Sequence, residues 1–149
     1  MTMIFSRGAL GVAGLGAFGL VLAGCAPRET AAPDPVAKEA RGKYLVERVG
    51  MCIDCHSPRG PGGQFDLSRW LQGAPLGFAP TVPMPAWAPY APAIAGLTQF
   101  TDEQALALLT EGKTVSGQPL RPPMPEYRFN REDAEAIVAY LRSLKPAGP

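Results

Sequence analysis

Cys52-Ile53-Asp54-Cys55-His56 gathers the reactive side chains of this sequence into five residues. The chain has three cysteines and one histidine, and two of the cysteines and the histidine lie here. Two thiols three positions apart can each form a thioether to one edge of a porphyrin. The next residue then offers an imidazole to the iron. C-x-x-C-H is the attachment pattern of c-type haem. Three other readings compete. A disulfide-exchanging C-x-x-C needs a βαβ setting, and none surrounds residues 52–55. A structural zinc site wants four ligands, usually as two separated pairs, and no second pair exists. A plain Cys52–Cys55 disulfide leaves His56 unexplained. The expectation is one covalent haem c, attached through Cys52 and Cys55, with His56 as proximal ligand to iron.

The other face of that iron also needs an account. With one histidine, bis-histidine ligation within the chain is excluded. Methionine sulfur is the other common partner and raises the haem potential. Met1 and Met3 fall in an N-terminal leader, residues 1–24, and Met51 adjoins Cys52 on the attachment side. Met84, in Val82-Pro83-Met84-Pro85, and Met124, in Pro122-Pro123-Met124-Pro125, remain. Prolines stiffen both loops, so local chemistry does not choose between them. Either choice closes the coordination sphere, whereas metal catalysis generally needs an open position. That favours outer-sphere electron transfer, with no small-molecule substrate. Arg59, Arg69, Trp70, Trp87, Arg121 and Tyr127 are candidate partners for haem carboxylates, which need donors when buried. For each, a solvated arginine or a packed aromatic is the simpler explanation.

The elements that must position these residues can be read in part. Lys38–Val49 has helical spacing, with Tyr44/Leu45, Val49 and Cys52 near one face. Thr101-Asp102-Glu103-Gln104 is a capping box, followed by Ala105, Leu106, Leu108 and Leu109, with Gly112 as the stop. Asn130 caps a last helix whose stripe is Ala134, Ile137, Val138, Leu141 and Leu144, ended by Pro146. Alternating strand patterns and internal repeats are absent. Residues 58–98 carry eight prolines up to Pro92, which excludes long regular structure. Their Phe65, Trp70, Leu71, Phe78, Trp87 and Tyr90 are too apolar for a disordered linker. An ordered wrap around the haem edge, with a short helix near Leu67–Leu71, is expected.

Residues 1–24 hold Arg7 and an apolar run from Gly8 to Ala23, and Leu22-Ala23-Gly24-Cys25 spans their end. This resembles a bacterial lipoprotein signal, which implies cleavage before Cys25 and acylation of its thiol. The run is short for a retained span of about 20 residues. Residues 25–37 are Pro/Ala-rich and read as a lipid-anchored tether. The haem-binding domain is expected over 38–146, with a tail at 147–149. Export would place the body on the periplasmic side of a bacterial membrane, where haem c is attached. Without the leader, 13 basic residues face 13 acidic ones. That balance argues against nucleic acid as partner and requires no basic membrane patch.

From about Glu39 to Leu144 the chain resembles a class I cytochrome c domain. Gly42-Lys43-Tyr44-Leu45 leads into the haem motif as the first helix of that family does. Met124-Pro125 stands where the family places its distal ligand, and Glu132-Asp133 through Ile137-Val138-Ala139-Tyr140-Leu141 is similar to its closing helix. Gly117-Gln118-Pro119-Leu120 is also similar to cytochrome subunits of membrane-bound dehydrogenases. The resemblance implies a small all-α fold of three to five helices around one haem, with first and last helices crossing near Gly42 and Tyr140. It implies Met124 as distal ligand, while the long Pro/Trp-rich segment keeps Met84 as the alternative. The function implied is one-electron transfer between a membrane oxidoreductase and an acceptor such as an oxidase or reductase. A fixed cytochrome subunit of a larger dehydrogenase or respiratory complex is the alternative. A haem enzyme or gas-binding protein with open iron is a third.

Overall fold

The computed structural model describes residues 34–146. The expected leader, Cys25 and residues 25–33 of the tether lie outside the described residues, as does the tail. Asp34 opens helix α1, Pro35–Tyr44: its carboxylate accepts from the Val36 N–H at 3.1 Å, and Pro35 occupies the first turn. A proline there costs no hydrogen bond, because that N–H has no helical partner. The helix therefore starts inside the expected tether, three residues before Lys38.

α1 runs into a single π turn, Leu45–Val49, in which the Gly50 N–H reaches back to the Leu45 carbonyl at 2.7 Å. An i→i+5 bond inserts one residue into the turn and rotates the chain beyond it. Leu45 and Val46 are consequently buried, while Tyr44 and Val49 are exposed. This corrects the expected face, which assumed α-helical spacing throughout. Met51 then takes a left-handed conformation, φ 49°, and α2, Cys52–His56, carries the C-x-x-C-H residues.

α3, Asp102–Glu111, has the expected reciprocal cap between Thr101 and Gln104, and Gly112 ends it at φ 69°. α4, Arg131–Ser143, begins where the Asn130 side chain accepts from the Asp133 N–H at 2.8 Å. The Asp133 carboxylate reaches the Asn130 amide and Arg41, so the second half of a capping box is replaced by a tie to α1. Ala134, Ile137, Val138 and Leu141 are buried as the stripe requires, together with Ala136 and Tyr140. α1 and α4 cross at Gly42. A Cβ there would run into the Ala136 carbonyl and stand 2.9 Å from the Tyr140 Cβ.

Between α2 and α3 the Pro-rich segment is ordered without being helical. One 3₁₀ turn, Leu67–Arg69, stands where a short helix to Leu71 was expected. A two-residue antiparallel pair joins β1, Ala74–Pro75, to β2, Tyr90–Ala91. Leu71 is fully buried against the helices, although its φ is 57°. Its carbonyl accepts from the Ile94 and Ala95 N–H groups at 2.9 and 3.1 Å. With four α-helices and this small sheet among the described residues, the fold is all-α, as expected. Among the described residues no helix is long and apolar enough to cross a membrane.

Candidate haem site

The π turn and the left-handed Met51 bring α2 to the wall of a cavity of about 650 Å³. Cys52, Cys55 and His56 line one side. Ile137 and Leu141 of α4 and Leu108 and Leu109 of α3 contribute apolar wall, and Met124 lies in the lining as well. Among the described residues Arg121 is the one charged residue in the lining. Met51, Tyr90 and Val115 line the cavity and are exposed, so it reaches the surface.

The wrap positions His56. The imidazole is 5% exposed, and its Nδ1 stands 2.7 Å from the Pro92 carbonyl. A carbonyl only accepts, so Nδ1 carries the proton and Nε2 keeps its lone pair. Burial pushes the imidazole pKa down, against the opposing pull of the Pro92 bond. Both the tautomer and the neutral state are those a metal ligand needs. The His56 carbonyl accepts from the Gly73 N–H at 2.8 Å, and the buried Ser57 hydroxyl accepts from the Leu71 N–H at 3.0 Å. At Gly73, φ 83°, a Cβ would lie 2.9 Å from Ala91 O, Ala93 N and the Tyr90 hydroxyl.

Burial pushes the Cys52 thiol up to about 11 and also raises Cys55, where Asp54 adds to the effect. Neither is the activated thiolate that a disulfide-exchanging C-x-x-C requires. Among the described residues no cluster of three or more His, Cys, Asp or Glu could hold a metal ion. The donor set fits haem instead: two thiols at the wall, one neutral imidazole with its outer nitrogen already bonded, and a large apolar volume beside them. Bound there, haem supplies a one-electron ferric/ferrous couple.

The two methionines separate in space. Met124 is in the cavity lining, whereas Met84 is not and is 40% exposed. Of the six candidate carboxylate partners, the cavity lining includes Arg121 and Tyr127. Arg59 bonds Asp54 and the Gly63 carbonyl and covers the Phe65 ring. Arg69 pairs with Asp66, Trp70 donates to the Tyr140 hydroxyl, and Trp87 packs edge-on against Phe78. Pro92, Gly73 and Ser57 were not among the expected site residues. Gly73 had a readable signal, a glycine amid prolines, but a backbone carbonyl such as that of Pro92 leaves none.

Fold and cavity together define an all-α domain built to hold a covalently attached porphyrin. The chain belongs to the cytochrome c family, which matches it over residues 39–145. Cytochromes c carry electrons on haem c, and the family match makes this chain a cytochrome c electron carrier. It is similar to a diheme cytochrome c-type protein of Cereibacter sphaeroides, 52% identical over 42 residues, 28% of this chain and 14% of the relative. It is also similar to the fructose dehydrogenase cytochrome subunit of Gluconobacter japonicus, 31% identical over 111 residues, 70% of this chain and 21% of that one. A third relative is the alcohol dehydrogenase (quinone) cytochrome c subunit of Gluconacetobacter polyoxogenes. It is 29% identical over 130 residues, 80% of this chain and 27% of the subunit. The matched part is thus about a quarter or less of each relative's length.

Proposed function

We propose that this chain carries one electron at a time on a single haem c, with iron ligated by His56 and Met124, between a dehydrogenase and a further redox protein. The observation that carries the ligation is the shared cavity: His56 and Met124 both line it, and Met84 does not. Apolar walls exclude water from the haem faces, which keeps the solvent response to a change of iron charge small. Nδ1 of His56, held by Pro92, maintains the imidazole as a neutral donor. Met124→Ala tests this reading. It keeps covalent haem, admits carbon monoxide to the ferrous iron, abolishes the weak red sulfur–ferric band and lowers the potential. Met84→Ala leaves all four unchanged. If Met124→Ala behaves as the parent, the ligation is wrong.

The same reading places the domain on the periplasmic side of a bacterial membrane, anchored by an acylated Cys25. Support comes from the Leu22-Ala23-Gly24-Cys25 motif and the Pro/Ala-rich segment after it. Cys25→Ser should release the exported, haem-loaded protein; continued membrane retention of the cleaved variant counts against the anchor. A second reading, a fixed cytochrome subunit within a dehydrogenase, is favoured by relatives named as such subunits. It shares the electron transfer and differs in mobility. Purification in mild detergent separates the two, since a fixed subunit brings down stoichiometric dehydrogenase and a mobile carrier comes alone.

A further inference from the structure

The loop that carries Met124 is fastened at two points, one on each side of the methionine. On one side Arg121 spreads its guanidinium over the Pro-rich wrap: Nε donates to the Ala86 carbonyl at 3.1 Å and Nη2 to the Trp87 carbonyl at 2.8 Å. The Ala88 N–H donates to the Pro122 carbonyl at 2.8 Å, so wrap and loop are also stitched through backbone. On the other side Tyr127 donates its hydroxyl to the Gly50 carbonyl, at the end of the π turn and two residues before Cys52. The Tyr127 ring stacks on Phe129 at 5.1 Å between centroids, and the Phe129 N–H donates to the Leu109 carbonyl of α3 at 3.1 Å. Between these points the Met124 N–H donates to the Arg121 carbonyl at 3.1 Å, closing a tight turn bounded by prolines.

The arrangement joins three parts of the chain around one cavity. Arg121 ties the loop to the segment that holds His56 through Pro92. Tyr127 ties it to the residues that lead into the haem-attaching cysteines. Both side chains are in the cavity lining. Their polar groups are directed at backbone carbonyls, so their hydrogen bonds fix the loop whatever they contribute to a haem carboxylate. A thioether is a weak ligand on a flexible side chain, and its residence on iron depends on how firmly its backbone is held.

We propose that Arg121 and Tyr127 are positioning residues that clamp the Met124 loop from opposite sides and thereby set how readily the sulfur yields its place to another ligand. This rests on Met124 as the distal ligand. The test uses the ferric holoprotein and imidazole as the entering ligand, followed by stopped-flow absorbance, with the red sulfur–ferric band recorded for each variant. Tyr127→Phe removes one hydroxyl and keeps the ring stack. Arg121→Leu removes the fork. Tyr127→Phe should speed imidazole entry about fivefold, near the effect of one lost hydrogen bond, and Arg121→Leu, which loses two, by more than that. The double variant should show the product of the two single factors, at least about twenty-fivefold, if the two points act independently, while the red band persists in imidazole-free protein. Arg121→Lys, which can reach one carbonyl but not two, should fall between the parent and Arg121→Leu. Thermal melts of the same samples separate positioning from folding. A lower melting temperature with parental imidazole entry overturns the clamp. Met124→Ala distinguishes the underlying reading: if it admits imidazole freely while the clamp variants match the parent, the ligand assignment stands and the clamp fails. If it also matches the parent, both fail.

Discussion

The helical frame and the Pro-rich wrap both wall the cavity that contains His56, by opposite means. The frame uses periodicity. α1 and α4 approach closely because Gly42 lacks a Cβ that would meet the Ala136 carbonyl, and the Lys38–Glu135 and Arg41–Asp133 ion pairs flank the contact. The wrap uses individual hydrogen bonds with almost no repeating structure. The Pro92 carbonyl accepts from the imidazole Nδ1, the Gly73 N–H donates to the His56 carbonyl, and the Ser57 hydroxyl accepts from the Leu71 N–H. Between Trp70 and Thr101 the wrap carries no charged residue, so its order comes from packing and backbone bonds rather than from ion pairs. The comparison teaches that a frame can supply stability while an irregular segment supplies ligand geometry.

That division can be broken at its centre. His56→Ala removes the side chain on which both regions converge, and no other histidine exists to replace it. The expected outcome is loss of stable holoprotein, seen as loss of the low-spin haem spectrum and of most far-ultraviolet helicity. A variant with native spectrum and helicity would show that the iron is held elsewhere.

Leu71→Ala tests the wrap. Its side chain is fully buried where the wrap meets the core, so truncation should cost about 2–5 kcal/mol. Because Ile94 and Ala95 bond to its carbonyl close to Pro92, the haem spectrum and potential should shift along with the urea midpoint. Gly42→Ala tests the frame. Forcing a Cβ into the crossing should cost about 1–3 kcal/mol, visible as a lower melting temperature. The frame touches His56 only indirectly, so the haem potential should remain parental. Equal shifts of potential in the two variants would erase the distinction between the regions.

Asp66 gives the smallest expected effect. Its carboxyl sits at about 2 rather than 3.8, held down first by the Ser68 hydroxyl and then by Arg69. A carboxyl lowered on folding contributes stability that is present above its unfolded pKa and lost as pH falls through the folded one. The parent's small advantage over Asp66→Asn should therefore hold above about pH 4 and vanish toward pH 2. The group is solvent-exposed, so a slight difference in melting temperature, followed against pH, is the appropriate measurement. A difference that grows on acidification would reverse the sign and remove Asp66 as a contributor.

Much of the frame is legible in residues. Thr101 with Gln104, Asn130 before α4, and Gly112 after α3 each mark a helix end by satisfying, or releasing, a backbone group within a few positions. The start of α1 is hidden because Asp34-Pro35 reads equally well as the end of a proline-rich tether. A proline in the first helical turn and a proline in an extended linker have the same φ. The face of residues 44–49 differs from the expected one because a π turn changes the period by one residue and leaves no compositional mark.

By itself the sequence pointed to the haem chemistry. C-x-x-C-H is contiguous, so the proposed attachment points and proximal ligand share one turn of backbone whatever the rest of the chain does. It also determined the all-α class, because caps and stripes act over one or two helical turns. Only the tertiary structure decided which methionine shares the cavity with His56, since Met84 and Met124 sit in locally equivalent proline loops. It alone supplied Pro92 as the imidazole's partner, and Arg121 and Tyr127 as the two fastenings of the Met124 loop. Those relations join backbone carbonyls to side chains 34 to 77 positions apart. A carbonyl is the same group in every residue, so nothing in the order of side chains announces which one a distant donor will find.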